Sequence, residues 1–145
     1  MPQKTGTFSD TELDRYARHI VLRELGGPGQ KKLKNAKVLV IGAGGLGSPV
    51  LPYIAGAGLG QITLVDPDVI SLSNLHRQVL FREDQIGQNK AQAAALALKG
   101  LNPDCQINPV THALTPANAL DLVQAADIVL DCADSFAVSY ILSNT

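Results

Sequence analysis

The feature that most constrains the fold is an apolar run that leads directly into a glycine-rich turn. Residues 37–41 read KVLVI, and Gly42, Gly44 and Gly47 follow in the pattern G-x-G-x-x-G, with Gly45 also inside the turn. The run predicts a buried strand, and the glycines predict a sharp turn into a closely packed helix. The free N–H groups and the positive dipole end of that helix favour an anion. The segment therefore predicts a site for a phosphate-bearing ligand.

A carboxylate at the end of the next apolar run supports this interpretation. Residues 61–65 read QITLV and are followed by Asp66, which lies 19 residues after Gly47. An acidic residue at about this spacing accepts hydrogen bonds from ribose hydroxyls in dinucleotide-binding folds. The alternative is a purely structural turn, but nucleotide binding is favoured.

Length and composition predict one globular domain. The 145 residues are 46% hydrophobic and carry a formal net charge of -1. Because the chain has no basic cluster, we expect no nucleic-acid partner. No apolar run reaches the roughly 18 residues of a membrane span, and the first residues are polar, so we expect no membrane anchor and no signal peptide. These features together predict a cytoplasmic protein.

The two cysteines, Cys105 and Cys132, are isolated and form no C-x-x-C pair. The sequence therefore predicts neither a zinc site nor a disulfide framework in these residues. Cys132 follows an apolar run, and a buried small side chain is favoured there over a reactive thiol.

Strand and helix patterns alternate along the chain. A capping-box sequence from Ser9 to Glu12 predicts a helix of about four turns, and the glycine- and proline-rich segment 25–29 predicts its end. The elements predicted after it are strand 37–41, helix 48–59, strand 61–65, a polar connection 67–87, helix 88–99, strand 106–110, helix 116–125, strand 127–131 and a helical stretch 135–145. This alternation predicts an α/β fold, a Rossmann-like parallel sheet with helices on both faces and a preceding N-terminal helix.

The elements divide the chain into an N-terminal helical arm, residues 1–36, and a Rossmann-like nucleotide-binding domain, residues 37–145. The last helical stretch contains Phe136, Ile141 and Leu142 and has no ending signal. Its apolar side chains need a cover that the domain does not supply. We therefore expect the domain to be incomplete at its C-terminus.

Three side chains of the polar connection and the following helix are suited to phosphate. Arg77 can bind phosphate oxygens through its guanidinium fork, Lys90 adds a compact charge beside a helix N-terminus, and Asn74 can donate hydrogen bonds. This set fits a triphosphate better than a nicotinamide. The alternative is that both cations are solvated surface charges.

A further carboxylate, Asp134, follows the last predicted strand, at the edge where open α/β sheets bind ligands. Mg²⁺ prefers carboxylate, phosphate and water oxygens, so Asp134 is a candidate magnesium ligand. An acid at this position is equally suited to cap the next helix.

Seven short motifs occur in a characteristic order. They are Arg15-Tyr16-x-Arg18, Gly42-x-Gly44-Gly45-x-Gly47, Asp66-x-Asp68, Ser73-Asn74-Leu75-x-Arg77-Gln78, Gly87-x-x-Lys90, Asn102-Pro103 and Asp131-Cys132-x-Asp134. In this order they resemble the ThiF/MoeB/HesA adenylyltransferases, the bacterial relatives of ubiquitin-activating enzymes. Because it rests on many ordered matches, the resemblance is far more specific than the glycine turn alone.

The resemblance implies an enzyme that binds ATP and Mg²⁺ and adenylates the C-terminal glycine of a ubiquitin-fold sulfur carrier ending in Gly-Gly. It implies that members are dimers in which the counterpart of Arg18 reaches into the partner's site. The implied nucleotide-binding residues are Gly42, Gly44, Gly45, Gly47, Asp66, Asp68, Asn74, Arg77 and Lys90, with Asp66 on the ribose. The implied catalytic residues are Arg18, Arg77, Lys90 and Asp134, with Asp134 on the metal.

The sequence also departs from the family pattern. His19 and Ser135 stand where glutamine and asparagine are usual. Family members continue through two C-x-x-C zinc pairs and a carrier-binding surface, so zinc is expected only if a missing C-terminal half carries those cysteines. Thiamine and molybdopterin biosynthesis both remain open, with segment 74–81 slightly closer to the thiamine branch.

Two other functions remain open. An NAD(P)-dependent Rossmann oxidoreductase would use the same glycine turn and Asp66, although the sequence offers no strong candidate for a hydride-transfer acid. A non-catalytic, truncated interaction module would keep only a dimer surface or a partial nucleotide site. A comparison of ATP with NAD binding distinguishes the oxidoreductase from the adenylyltransferase. Carrier-dependent pyrophosphate exchange distinguishes the interaction module from the adenylyltransferase.

Overall fold

The computed structural model describes residues 7–145, in which a four-stranded parallel sheet is packed between helices. The helices are α1 (Asp10–Arg15), α2 (Ala17–Ile20), α3 (Gly26–Asn35), α4 (Gly47–Gly56), α5 (Lys90–Leu101), α6 (Pro116–Gln124) and α7 (Phe136–Ser143). The strands are β1 (Lys37–Ile41), β2 (Gln61–Val65), β3 (Gln106–Val110) and β4 (Ile128–Asp131). The predicted Rossmann-like α/β fold is confirmed. The first six residues of the predicted arm lie outside the described residues, and the domain boundary after residue 36 stays a prediction.

The strand order places the carboxyl ends of three strands around one point. The order is β3-β2-β1-β4, and all neighbouring pairs are parallel. The chain leaves β1 toward β2 and β3 on one side, and returns to place β4 on the other side. Open α/β sheets bind ligands at such a switch point. The glycine turn follows β1 and Asp134 follows β4, so both lie at this point.

Alternating side chains of the strands build a separate apolar core on each face of the sheet. On one face Val38 and Val40 pack with Leu51 of α4 and Leu98 of α5. On the other face the core includes Leu39, Ile41, Val65 and residues of α6 and α7. A strand that alternates between two apolar cores reads as a continuous apolar run, which is why β1 and β2 are evident in the sequence.

The N-terminal arm differs from the sequence prediction in two places. The sequence predicts one helix of about four turns, but the chain forms α1 and α2 with a break at Tyr16, whose φ of -103° and ψ of 11° are not helical. The first helical region ends at Ile20, before the segment 25–29 that is predicted to end it, and that segment itself begins α3 at Gly26. Pro28 lies in the first turn of α3, where its missing N–H has no intrahelical partner.

Buried amides attach the arm to the sheet domain. Gln30 and Asn102 are both 0% exposed. Gln30 Nε2 donates to the carbonyl of Ala57 at 2.7 Å, and Asn102 Nδ2 donates to that of Ala55 at 2.8 Å. The same Asn102 nitrogen donates to the Tyr16 hydroxyl at 2.8 Å. We call this contact region, Tyr16, His19, Gln30, Asn102 and segment 55–58, the arm junction.

Within residues 7–145, no helix combines the length and the apolar character that a membrane span requires.

Candidate functional site

A cleft of about 710 Å³ lies at the carboxyl ends of β1, β2 and β4. It brings together most of the predicted site residues, namely Gly42, Gly44, Gly45, Asp66, Asp68, Asn74, Arg77, Lys90 and Asp134. A larger groove of about 920 Å³ runs between α5 and β3, but Lys99 and Asp104 are its only charged residues. The cleft at the switch point is therefore the candidate site, and we call it the switch-point cleft.

The glycines of the turn divide into two pairs. Gly42 has a φ of 99°, and a Cβ on Gly47 would overlap the carbonyl oxygen of Gly42. These two glycines let the turn close on itself, and Gly47 does not line the cleft. Gly44 and Gly45 do line it, so their backbone is open to a ligand.

Asp66 fixes the glycine turn to the end of β2. Its side chain is buried at 5% exposure. The Ala43 N–H donates to Asp66 Oδ2 at 2.8 Å, and the Asp68 N–H donates to Asp66 Oδ1 at 2.8 Å. Each carboxylate oxygen retains a second acceptor position. Asp66 can therefore hold the turn and still accept a further hydrogen bond from the cleft.

Lys90 is the first residue of α5 and is 6% exposed. Its N–H donates to the carbonyl of Asp68 at 2.9 Å. The N-cap Asn89 accepts from the Gln92 N–H at 3.0 Å and donates through Nδ2 to the Asp66 carbonyl at 3.0 Å. These bonds attach the start of α5 to the end of β2. They place a buried ammonium in the cleft wall.

Asn74 and Arg77 lie on one turn of the connection. The Arg77 N–H donates to the carbonyl of Asn74 at 3.2 Å. Asn74 Oδ1 accepts from the Ser71 hydroxyl at 2.7 Å, which leaves its amide nitrogen to donate. A Cβ on Gly45 would lie 3.9 Å from Arg77 Nε, so the guanidinium is close to the glycine turn.

Lys90 and Arg77 have no anionic partner in the part of the chain that the structure describes. The ion pairs between residues 7 and 145 are Lys34–Glu12 at 2.7 Å and Arg82–Asp84 at 3.0 Å. A largely buried cation without a counter-ion is costly to desolvate. The cleft is therefore suited to an anion from outside the chain.

The two acids that follow β4 have different surroundings. Asp131 accepts hydrogen bonds from the Ser139 hydroxyl and, at 3.1 Å, from the Ala133 N–H. Asp134 is exposed and lines the cleft. The N-cap of α7 is Ser135, so Asp134 is not the helix cap that the sequence left open. Asp134 is thus free to bind a ligand in the cleft.

The carboxylates of the cleft do not form a metal site by themselves. Among residues 7–145, no group of three or more His, Cys, Asp or Glu side chains is arranged to hold a metal ion. Mg²⁺ is commonly held by one or two carboxylates together with substrate phosphates and water. Asp134 therefore fits a magnesium ion that arrives with a phosphate ligand.

Sequence reasoning missed part of the cleft wall. Leu114, Val138, Ala133 and Cys132 form an apolar side of the cleft, and Gln78 lies beside the glycine turn. Gln78 is 3% exposed, and its Oε1 has no hydrogen-bond partner within the described residues. The position of Gln78 directly after Arg77, in the motif that begins at Ser73, could have indicated that it belongs to the site. The apolar wall had no such signal, because Leu114 and the segment 132–138 belong to parts of the chain that only the fold brings together.

Arg18 does not lie in the switch-point cleft. It is exposed on α2 and makes neither a hydrogen bond nor an ion pair with other residues of the described range 7–145. Its guanidinium is free to contact a group outside this chain.

Both cysteines are poor nucleophiles at neutral pH. Burial raises the pKa of the Cys105 thiol to about 11. Burial, and then the nearby charge of Asp131, raises the pKa of Cys132 above its usual value. The surroundings of Cys132 thus favour the predicted packing role over a reactive thiol.

Known proteins are similar to this chain in both sequence and fold. The ThiF family matches residues 16–145. The SAMP-activating enzyme E1 of Haloferax volcanii is 43% identical over 140 residues, which are 97% of this chain and 52% of that protein. The adenylyltransferase and sulfurtransferase MOCS3 of Drosophila sechellia is 44% identical over 137 residues, 94% of this chain and 30% of that protein.

A solved structure of a known protein is also similar to this chain. The E. coli tRNA N6-threonylcarbamoyladenosine dehydratase TcdA in complex with ATP matches with a TM-score of 0.87 and 29% identity, over 94% of this chain and 56% of that one. The chain thus spans about half the length, or less, of the relatives it matches. From the family match and these identities, the chain belongs to the ThiF family of E1-like adenylyltransferases.

Proposed function

We propose that the chain is the ATP-binding part of an adenylyltransferase that activates the C-terminal glycine of a ubiquitin-like sulfur carrier. The observation that carries the proposal is a pair of cations without an anionic partner within residues 7–145. They are Arg77 and the largely buried Lys90, and both lie in one cleft with the glycine turn. A triphosphate supplies an anionic partner for these two cations. A structural neighbour, E. coli TcdA, was solved with ATP, which also supports the choice of nucleotide.

The proposed reaction needs few reacting groups from the protein. A C-terminal carboxylate has a reference pKa of about 3.3–3.7 and is already an anion at neutral pH. Its oxygen forms a bond to the α-phosphorus of ATP, and the bond from that phosphorus to the bridging oxygen breaks to release pyrophosphate. The site must align the carboxylate with the α-phosphorus and neutralise the charge that develops on the leaving group.

The residues of the cleft take roles that fit their surroundings. Arg77, Lys90 and the Asn74 amide contact the phosphates, because neither cation has an anionic partner within residues 7–145 and the Asn74 amide nitrogen is free to donate. The turn at Gly42, Gly44, Gly45 and Gly47 seats the nucleotide, while Asp66 and Asp68 lie toward the ribose. Asp134 would hold Mg²⁺, which would supply positive charge to offset that of the phosphates.

A second copy of the chain completes the proposed enzyme. Arg18 is exposed and lies outside its own cleft. In the proposed homodimer it contacts the phosphates bound by the partner subunit. Residues 1–36 then act as an arm, and residues 37–145 act as the ATP-binding domain.

Carrier recognition and any zinc site belong to the half of the relatives that this chain does not span. The carrier belongs to thiamine or molybdopterin biosynthesis, and the enzyme works in the cytoplasm.

Calorimetric titration tests which nucleotide binds. We expect Mg·ATP to bind at least about tenfold more tightly than NAD, a difference of about 1.4 kcal/mol. As a control, Lys34→Met removes a lysine outside the cleft and should leave ATP affinity unchanged. Tight NAD binding without a response to ATP would replace this proposal with the oxidoreductase alternative.

Exchange of labelled pyrophosphate into ATP tests the reaction itself. We expect exchange only when a carrier ending in Gly-Gly is present, and none with a carrier that lacks the last glycine. A well-folded protein that binds ATP but shows no exchange with thiamine- or molybdopterin-type carriers would instead support a non-catalytic module.

A further inference from the structure

We infer that Asn102 is a positioning residue for Arg18, because its buried amide joins the short helix that carries Arg18 to the helix that follows the glycine turn. The inference rests on the proposed role of Arg18 in the partner subunit's site. It adds a residue of the arm junction to the groups on which turnover depends.

Asn102 connects three separate parts of the chain. Its Nδ2 donates to the Tyr16 hydroxyl and to the Ala55 carbonyl, both at 2.8 Å. Its Oδ1 accepts from the Asp104 N–H at 3.2 Å. Both donors of the amide are used, and the side chain is fully buried. A buried amide with all of these partners holds a fixed geometry, because losing any one bond leaves a polar group unsatisfied.

A second amide, Gln30, attaches the other side of α2. Its Oε1 lies 3.0 Å from His19 Nδ1, and its Nε2 donates to the Ala57 carbonyl at 2.7 Å. Gly58 has a φ of 94°, and a Cβ there would lie 2.5 Å from Gln30 Nε2. The arm therefore lies directly against the C-terminal end of α4.

Arg18 lies between these two attachments. Tyr16 precedes it by two residues, and His19 follows it directly. Helix α2 contains only four residues, and an isolated turn of this length is not stable in water. The position of Arg18 is thus set by the side chains on either side of it, and through Tyr16 by Asn102.

The same contacts fix the distance between Arg18 and the glycine turn. Helix α4 starts at Gly47, at the turn, and ends at Gly56, beside the arm junction. In a twofold dimer each Arg18 reaches the partner's cleft only if its position relative to its own cleft is correct. An arm that shifts on α4 therefore misplaces both arginines at once.

A double-mutant cycle on the intact protein tests the inference, with carrier-dependent pyrophosphate exchange as the readout. We expect Arg18→Ala to lower kcat/KM by about 100-fold. Asn102→Ala should lower it by about tenfold in the parent background, but by less than about twofold in the Arg18→Ala background, since residues that act as one unit are not additive. The matched control is Asn108→Ala, an asparagine of β3 that should leave the rate unchanged.

Tyr16→Phe provides a variant that keeps the packing of the ring. It removes the hydroxyl that accepts from Asn102, and we expect a smaller loss of kcat, and a smaller fall in melting temperature, than for Asn102→Ala. Equal effects of Asn102→Ala in both backgrounds would overturn the inference, because they would indicate general destabilisation. So would an Arg18→Ala variant as active as the parent. A parent protein without exchange would instead contradict the proposed function.

Discussion

The N-terminal arm and the switch-point cleft both contain a glutamine and a lysine, but the two regions pair these side chains differently. In the arm junction, Oε1 and Nε2 of Gln30 are both hydrogen-bonded. In the cleft, Oε1 of Gln78 has no hydrogen-bond partner among the residues described. Lys34 of the arm pairs with Glu12 at 2.7 Å, whereas Lys90 of the cleft has no counter-ion within residues 7–145.

The difference separates polar groups that stabilise the fold from polar groups that await a ligand. A buried donor or acceptor without a partner costs roughly 1–3 kcal/mol, and more when it is charged. A chain gains nothing in stability from such a group. We therefore expect substitutions in the arm junction to lower stability, and substitutions in the cleft to lower ligand binding.

The largest expected effect on ligand binding is that of Lys90→Met. It should weaken Mg·ATP binding about 100-fold, because it removes a charge-assisted contact in a partly buried site. The melting temperature should stay constant or rise, because the variant removes an unpaired buried charge. Calorimetry and thermal unfolding measure the two quantities. A variant that keeps its ATP affinity but loses stability would show that the lysine belongs to the fold.

The next effect concerns stability at the arm junction. Gly58→Ala should lower the free energy of unfolding by about 3 kcal/mol, since it combines a strained φ with overlap against Gln30 and Tyr16. Gly87 has a similar φ of 88°, but a Cβ there meets nothing within 4 Å. Gly87→Ala should therefore cost only about 1 kcal/mol from strain alone. Urea unfolding of both variants checks this order, and equal losses would remove packing as the reason.

The two glutamines provide the most direct test of the comparison. Gln30→Met should cost about 2 kcal/mol of unfolding free energy, because the Ala57 carbonyl and His19 lose their partner. Gln78→Met should leave stability unchanged or higher, but weaken ATP binding by a few fold. Urea unfolding and calorimetry on both proteins measure these effects. A loss of stability in both variants would mean that the two buried amides have the same role.

The smallest effect is that of Glu12→Gln. Burial alone would raise the pKa of Glu12, but hydrogen bonds from Lys34 and the Ser9 N–H, with the charge of Lys34, lower it overall. A lowered folded pKa stabilises the fold above the unfolded value of about 4.3 and loses that stabilisation as the pH falls through the folded value. The variant should therefore be about 1 kcal/mol less stable than the parent at pH 7, and the difference should disappear as the pH falls through the folded pKa.

An exposed pair serves as the control for this pH series. Asp84 pairs with Arg82 at 3.0 Å on the surface, and Asp84→Asn should produce no measurable change in stability at any pH. Urea unfolding across the pH range compares the two variants. A pH-independent effect of Glu12→Gln would assign its role to the helix cap alone.

The sequence predicted those parts of the structure that depend on local patterns. The boundaries of β1, β2 and β3 match the predicted strands. For β1 and β2 the reason is that apolar runs bounded by glycine or polar residues encode buried strands directly. Residues that follow such strands were correctly expected to meet, since the carboxyl ends of neighbouring parallel strands share one edge. This accounts for Asp66 and Asp134 in the same cleft.

Other parts depend on distant contacts and could not be predicted. The break between α1 and α2 occurs at Tyr16, whose hydroxyl bonds to Asn102, 86 residues away. Helix α3 begins with four residues of poor helix propensity, 26–29, and its Gln30 donates to the distant carbonyl of Ala57. The apolar wall of the cleft at Leu114 and Val138 also depends on how α6 and α7 pack across the sheet.

The bonds that Asp66 accepts from Ala43 and Asp68 have a consequence for how a ligand would arrive. They hold the glycine turn in its closed shape from within the chain, so a nucleotide entering the cleft would find its docking loop already ordered. A preorganised loop spares association the entropy cost of ordering it. Discrimination among nucleotides then depends on the charges and shapes of the cleft walls, and not on a loop that closes over the correct one.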